Sequence, residues 1–299
     1  MSSPVRALLI GTFLLLDAAL GFAAWRHLHH APPASDVAEA RVDAAQDTSV
    51  GVPGSPAFAF AKSDAVLLDA SASGMLVAAR RGDCHGPAPT ISVSADAGKT
   101  VSIVKPDIRE VLAVKADDDG SVTIVGGDAK CRIIAVRSTD DGRNWDNVAV
   151  RGWYAGLKQQ SDVGSPKGIA NAGCAVTALS SVDSNFARLA CADGRIRGTG
   201  DAGRRWATLG RLENLRAVTF DDYSNGVALA RYEGCGAFAF ATADGGRTWK
   251  QLACAGSGSG RAIASDGSRL IAVVDNRLAV SSDGGRAWKL GDVDLSPAG

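Results

Sequence analysis

One turn, written five times, constrains this chain more than any other feature. The copies are Ser94 to Val101 (SADAGKTV), Ser138 to Trp145 (STDDGRNW), Thr199 to Trp206 (TGDAGRRW), Thr242 to Trp249 (TADGGRTW) and Ser281 to Trp288 (SSDGGRAW). All follow S/T-x-D-x-G-x-x-W, except that Val101 stands for the tryptophan in the first. Their aspartates are about 40 to 60 residues apart, near the length of one propeller blade. The chemistry is local: Asp96, Asp140, Asp201, Asp244 and Asp283 can accept backbone N–H bonds, as can the hydroxyl residue. The glycine supplies a positive φ, and Trp145, Trp206, Trp249 and Trp288 can pack the hairpin inward. A turn of this kind staples two strands and needs no ligand.

Between the turns, short Val/Ala/Leu/Ile runs are broken by Gly, Asp, Asn and Ser, with 35 glycines and 6% aromatic residues, an all-β texture. At 299 residues and 46% apolar the chain can bury a large core. Lys plus Arg equals Asp plus Glu at 32 each, so no global field recruits nucleic acid or an anionic surface, and any electrostatic site must be local.

The repeated turn resembles the Asp-box, or bacterial neuraminidase repeat, of sialidases, sortilin-type receptors and photosystem II assembly-factor-like propellers. The resemblance implies an all-β β-propeller over residues 56–292, with the boxes at third-to-fourth strand turns, away from the ligand face, and their aspartates structural. Reading back from each box gives four strands per blade, clearest in "LRAVTF", "VALAR", "AFAFAT" and "TWKQL", and five blades in all. "AFAFA", Ala57 to Ala61, is a candidate outer strand at the closure, and a degenerate sixth blade is the alternative count.

Ahead of the propeller, residues 1–4 form a short tail, and residues 5–25 (VRALLIGTFLLLDAALGFAAW) are apolar enough for a transmembrane or signal-anchor helix. Asp17 costs roughly 2.5 to 3.5 kcal/mol there, which its Leu, Ile and Phe neighbours can offset. Residues 26–55 read as a flexible linker and 293–299 as a C-terminal tail. The expected location is the cell membrane, single-pass with the propeller outside the cytoplasm, or secreted/periplasmic if the helix is cleaved. His27, His29 and His30 lack accompanying ligands at metal spacing, and neither metal nor cofactor is expected.

Six cysteines without a CxxC pair, behind an export segment, suggest disulfides. In the propeller reading all six fall near the presumptive ligand face, and the pairs Cys84–Cys131, Cys174–Cys191 and Cys235–Cys254 are expected there.

Sialidase-like catalysis would need an arginine triad, a Tyr nucleophile with a Glu partner, an acid/base Asp and an Arg-Ile-Pro signature. Arg195-Ile196-Arg197 is the nearest string to the last, and Tyr232-Glu233 the one pair worth weighing. "DDDG", Asp117 to Gly120, reads as a hairpin rather than a Ca²⁺ loop. The interval between the second and third boxes is long, and its "RGWYAGLKQQSDVGSPKG" reads as a loop on the ligand side. Trp153, Tyr154, Leu157 and Lys158 on that loop are candidate partner-binding residues. Arg81, Arg109 and Arg231 join them, with Arg80, Arg132 and Arg216 nearby. The reading is a non-catalytic module binding a protein or membrane complex, not nucleic acid. The alternative is a glycan-binding or sialidase-like hydrolase propeller, and a third option is an inert scaffold.

Overall fold

A computed structural model describes residues 62–295. After a 3-10 turn at Lys62–Asp64, the chain forms six antiparallel sheets. Blade 1 holds β1 (Val66–Ala70), β2 (Leu76–Arg80), β3 (Thr90–Ser94) and β4 (Ser102–Val104). Blade 2 holds β5 (Glu110–Ala116), β6 (Val122–Gly127), β7 (Ile133–Ser138) and β8 (Asp146–Val148). Blade 3 has three short strands, β9 (Tyr154–Ala155), β10 (Asp162–Ser165) and β11 (Gly168–Asn171). Blade 4 holds β12 (Val176–Ser181), β13 (Ala187–Cys191), β14 (Arg195–Thr199) and β15 (Ala207–Arg211). Blade 5 holds β16 (Leu215–Phe220), β17 (Gly226–Tyr232), β18 (Cys235–Thr242) and β19 (Lys250–Gly256). Blade 6 holds β20 (Gly260–Ser265), β21 (Leu270–Val274), β22 (Arg277–Ser281) and β23 (Lys289–Asp294).

The protein is therefore a β-propeller of six blades, not five. The sixth is the stretch expected to be a long loop, residues 151–168. It carries no repeated turn and pairs only four and two residues along its ladders, too little alternation to stand out in sequence. The expected helix at 5–25, the linker and Ala57 to Ala61 lie outside the described residues. Among the described residues no helix is long and apolar enough to cross a membrane.

Each repeated turn begins on the last residue of a third strand and ends just before the fourth. Its hydroxyl donates to the aspartate Oδ1 at 2.8–2.9 Å and accepts the glycine N–H at 2.8–3.1 Å. The same Oδ1 accepts the N–H four residues further on, at 2.8–2.9 Å. The five hydroxyl residues are buried. These bonds hold the carboxyls below the usual range, down to about 2 at Asp96 and Asp140. The turn is thus stable above pH ~4 and loosens as pH falls towards 2. The tryptophans are half-buried, and the Trp145 and Trp288 indoles donate back to the turn's glycine carbonyl at 2.9 and 3.0 Å.

The turn glycine also builds the ring. Gly98, Gly142, Gly203, Gly246 and Gly285 have φ between 72° and 95°, and a Cβ would press on the preceding blade at all but Gly203, where it would make ordinary contact. The atoms met belong to Leu278, Val104, Trp153, Ile196 and Leu252 in turn. Between successive blades lie six apolar clusters among the described residues, one per interface. Among the described residues no strand is shared at the closure: blade 1 comes from the N-terminal side and blade 6 from the C-terminal side. Leu76, Ala78, Ala262, Ile271, Val273 and Leu278 close the seam by side-chain packing.

Two measurements check this account. Thr242→Val keeps the shape but strands the Gly246 N–H and takes one donor from the Asp244 carboxylate, which keeps Arg247 and Thr248. It should lower unfolding free energy by about 1–3 kcal/mol in denaturant titration. Leu278→Ala empties the seam and should cost about 2–5 kcal/mol.

Candidate functional site

The first strands of the six blades surround a central channel of about 1310 Å³. The channel has a top mouth, where these strands begin, and a bottom mouth beside the repeated turns. In blades 2, 4, 5 and 6 the first strand carries a bulge at the same place, skipping Leu112, Thr177, Arg216 and Arg261. A bulge re-aims the side chain it carries, and all four residues line the channel. Arg216 is buried, and its guanidinium is brought down to about 10 by desolvation and by the charges of Arg231 and Arg261. Arg261 was not nominated from sequence. The signal was available in the parallel strings Val111-Leu112-Ala113, Val176-Thr177-Ala178, Leu215-Arg216-Ala217 and Gly260-Arg261-Ala262.

Beside this mouth sits a buried ionic centre. Glu110, 1% exposed, receives Arg81 Nε at 2.9 Å and Lys62 Nζ at 2.7 Å on Oε1. Arg81 Nη2 goes on to the Gly156 carbonyl and Lys62 Nζ to the Leu157 carbonyl, each at 2.5 Å. The centre ties blades 1 and 2 to the small blade 3. On the other flank, Arg197 donates to the Ala172 carbonyl and, at 2.5 Å, to the Trp206 carbonyl, joining blade 3 to blade 4.

Several nominated contact residues are therefore part of the scaffold. Trp153 is 8% exposed, donates its indole N–H to the Asp183 carbonyl at 2.7 Å and meets Trp206 edge-on with centroids 6.0 Å apart. Tyr154 is half-buried over Gly164, its cross-strand partner, where no Cβ would fit, and desolvation pushes its phenol up. Leu157 packs beside Gly127 against blade 2, and Arg81 is spent on Glu110. The reason is common to all four: strands this short cannot build a core from Val and Leu alternation, so aromatic rings and a buried ion pair supply it. Lys158, Arg109 and Arg231 are exposed, as are Arg80 and Arg132, the latter on Asp128 at 2.6 Å.

The disulfides Cys174–Cys191 and Cys235–Cys254 are present. Cys84 and Cys131, expected to be bonded, are free thiols in mutual contact. Tyr232 and Glu233 do not line the channel. The Tyr232 hydroxyl bonds Glu233 and accepts from Gln251 Nε2 at 2.9 Å, facing the outer strand of blade 5. The "DDDG" stretch is the β5–β6 turn, where Asp119 pairs with Arg137 at 2.7 Å. Among the described residues no cluster of three or more His, Cys, Asp or Glu is placed to hold a metal.

No family model matches the chain, and no curated protein matches it. Solved structures that align with it include YCF48 bound to a D1 peptide, 15% identical over 83% of this chain and 74% of that one, TM-score 0.32. YCF48 from Cyanidioschyzon merolae is 17% identical over 81% and 87%, TM-score 0.30. A GH74 xyloglucanase from Xanthomonas campestris is 18% identical over 77% of this chain and 38% of that one, TM-score 0.33.

Further down the channel wall, Asp69 accepts the Ala116 N–H on Oδ2 at 2.9 Å, and burial pushes its carboxyl up to about 6. The folded protein then holds a proton that the unfolded chain releases near pH 4, so this residue costs stability as pH rises from ~4 to ~6. Asp69→Asn keeps an oxygen for Ala116. Its melting temperature relative to wild type should climb across that window and level off above it, in thermal melts run from pH 4 to 8.

Proposed function

We propose that this chain is a non-catalytic binding module that takes a protein segment at the top mouth of its channel. In this reading residues 5–25 tether it to a membrane, with the propeller outside the cytoplasm. The observation that carries the reading is the bulge pair that aims Arg216 and Arg261 into a wide channel, beside Arg231. Partly desolvated guanidinium groups suit carboxylates, which they can meet with two parallel hydrogen bonds. A channel of about 1310 Å³ exceeds the usual small-ligand pocket of roughly 300–1,000 Å³ and suits a chain end or an acidic loop. The same arginines favour, as second reading, a glycan bearing a carboxylate. Against cleavage of such a glycan stands the position of Tyr232 and Glu233, which face away from the channel.

Replacing the segment Gly152 to Lys167 would remove most of blade 3, so a point substitution is the cleaner probe. Arg231 is exposed, and Arg231→Glu should leave the thermal melt unchanged. In crosslinking and affinity capture from native membranes it should reduce recovery of a specific protein about tenfold, ~1.4 kcal/mol. Equal recovery by both proteins would overturn the reading. Turnover of a fluorogenic sialoside that this substitution abolishes would replace it with the glycan reading.

A further inference from the structure

Two tight turns meet across the top-face seam between blades 1 and 2. In the β2–β3 loop the Asp83 N–H donates to the Pro87 carbonyl and the His85 N–H to Asp83 Oδ1, both at 2.9 Å, which fixes Cys84 and His85. In the β6–β7 turn Asp128 Oδ1 accepts the Lys130 and Arg132 N–H groups at 2.8 and 2.9 Å, and its carbonyl accepts the Cys131 N–H at 2.9 Å. Cys131 is held at φ 54°, the left-handed turn conformation that Glu233 and Asp275 also take in the matching turns of blades 5 and 6. The Cys84 thiol bonds the Cys131 thiol, and Cys131 Sγ lies 3.4 Å from His85 Nε2. Both cysteines are half-exposed and His85 is exposed. In the two formed disulfides, by contrast, Cys191 and Cys235 are buried.

We propose that Cys84 and Cys131 are a thiol–disulfide exchange site for low-molecular-weight disulfides, with Cys131 attacking and Cys84 resolving. His85 takes the Cys131 proton. The thiolate attacks one sulfur of RS–SR, forming Cys131–S–SR and releasing RS⁻, which picks up that proton. Cys84 then gives its proton to the second leaving thiolate as its sulfur attacks Cys131 Sγ and expels it. Two protein thiols lose two electrons, and one small disulfide becomes two thiols. The order follows from the surroundings: burial and the neighbouring thiol push Cys84 up to about 12, so it keeps its proton, while the imidazole sits on Cys131. Closing the bond locks blade 1 to blade 2 beside the ionic centre, since the Cys84 N–H already reaches Glu110 Oε2 at 3.4 Å.

The test uses the full chain in a series of reduced and oxidised glutathione, with alkylation and peptide mapping. Cys84–Cys131 should form and reopen at ratios where Cys174–Cys191 and Cys235–Cys254 stay closed. Cys84→Ser should retain a glutathione adduct on Cys131 that wild type resolves, and His85→Gln should slow adduct formation without moving the thermal melt. Thiols that stay alkylatable at the largest excess of oxidised glutathione would overturn the proposal. So would three bridges opening together, or an adduct that builds on Cys84 in Cys131→Ser but not on Cys131 in Cys84→Ser.

Discussion

The fold depends on a glycine that does two things at one backbone position. In each repeated turn it takes a left-handed φ that closes the hairpin, and in four of the five, all but Gly203, it leaves room for the preceding blade to pack where a Cβ would stand. Hairpin geometry and ring geometry are thereby coupled, because a turn that could not adopt this φ would also hold its blade away from its neighbour. The coupling reaches the seam itself, where Gly98 of blade 1 meets Leu278 of blade 6. Among the described residues side-chain packing closes the circle, so the contact at Gly98 is as much a part of closure as the apolar cluster beneath it.

Blade 3 has no such turn, and its neighbours hold it by other means. Its interface with blade 2 is the smallest of the apolar clusters, centred on Leu112, Val125 and Ala135. A buried carboxylate with two cations reaching across to blade 3 carbonyls supplements that interface. A buried ion pair is a poor source of net stability but a strong source of geometry, because its desolvation is offset only when every partner is in place. Glu110 therefore specifies where the small blade sits, and Arg197 does the same on the far side.

This division explains what the sequence could disclose. The five boxes set strand order, turn position and the face of each aspartate, because each is a local pattern of residues a few positions apart. Blade 3 was hidden because its stabilisation is non-local: Arg81, Glu110 and Lys62 are distant in sequence, and Trp153 is read equally well as a rim aromatic or a core one. The channel arginines were half-legible. Arg216 and Arg261 occupy equivalent positions, but a bulge that turns them inward is visible only once two strands are paired. Cys84 and Cys131 were placed together correctly, whereas their bond depends on redox state, which spacing does not encode.

The two faces of the propeller carry different kinds of order. The bottom face repeats one hydrogen-bonded turn five times, and repetition of this sort stabilises without discriminating among ligands. On the top face are found the bulges, the buried ionic centre and the two thiols, none of which recurs blade by blade except the bulge. Irregular features such as these cost conformational energy and persist only where surrounding structure holds them. The regular face supplies that support here, since five hydroxyl–carboxylate turns and six interblade clusters fix the strands from which the top-face side chains project. An anion-binding mouth and a thiol pair can then share one rim: oxidation of the pair would act on the blade 1–blade 2 seam, and through Glu110 on the position of blade 3, without disturbing the arginines of blades 5 and 6.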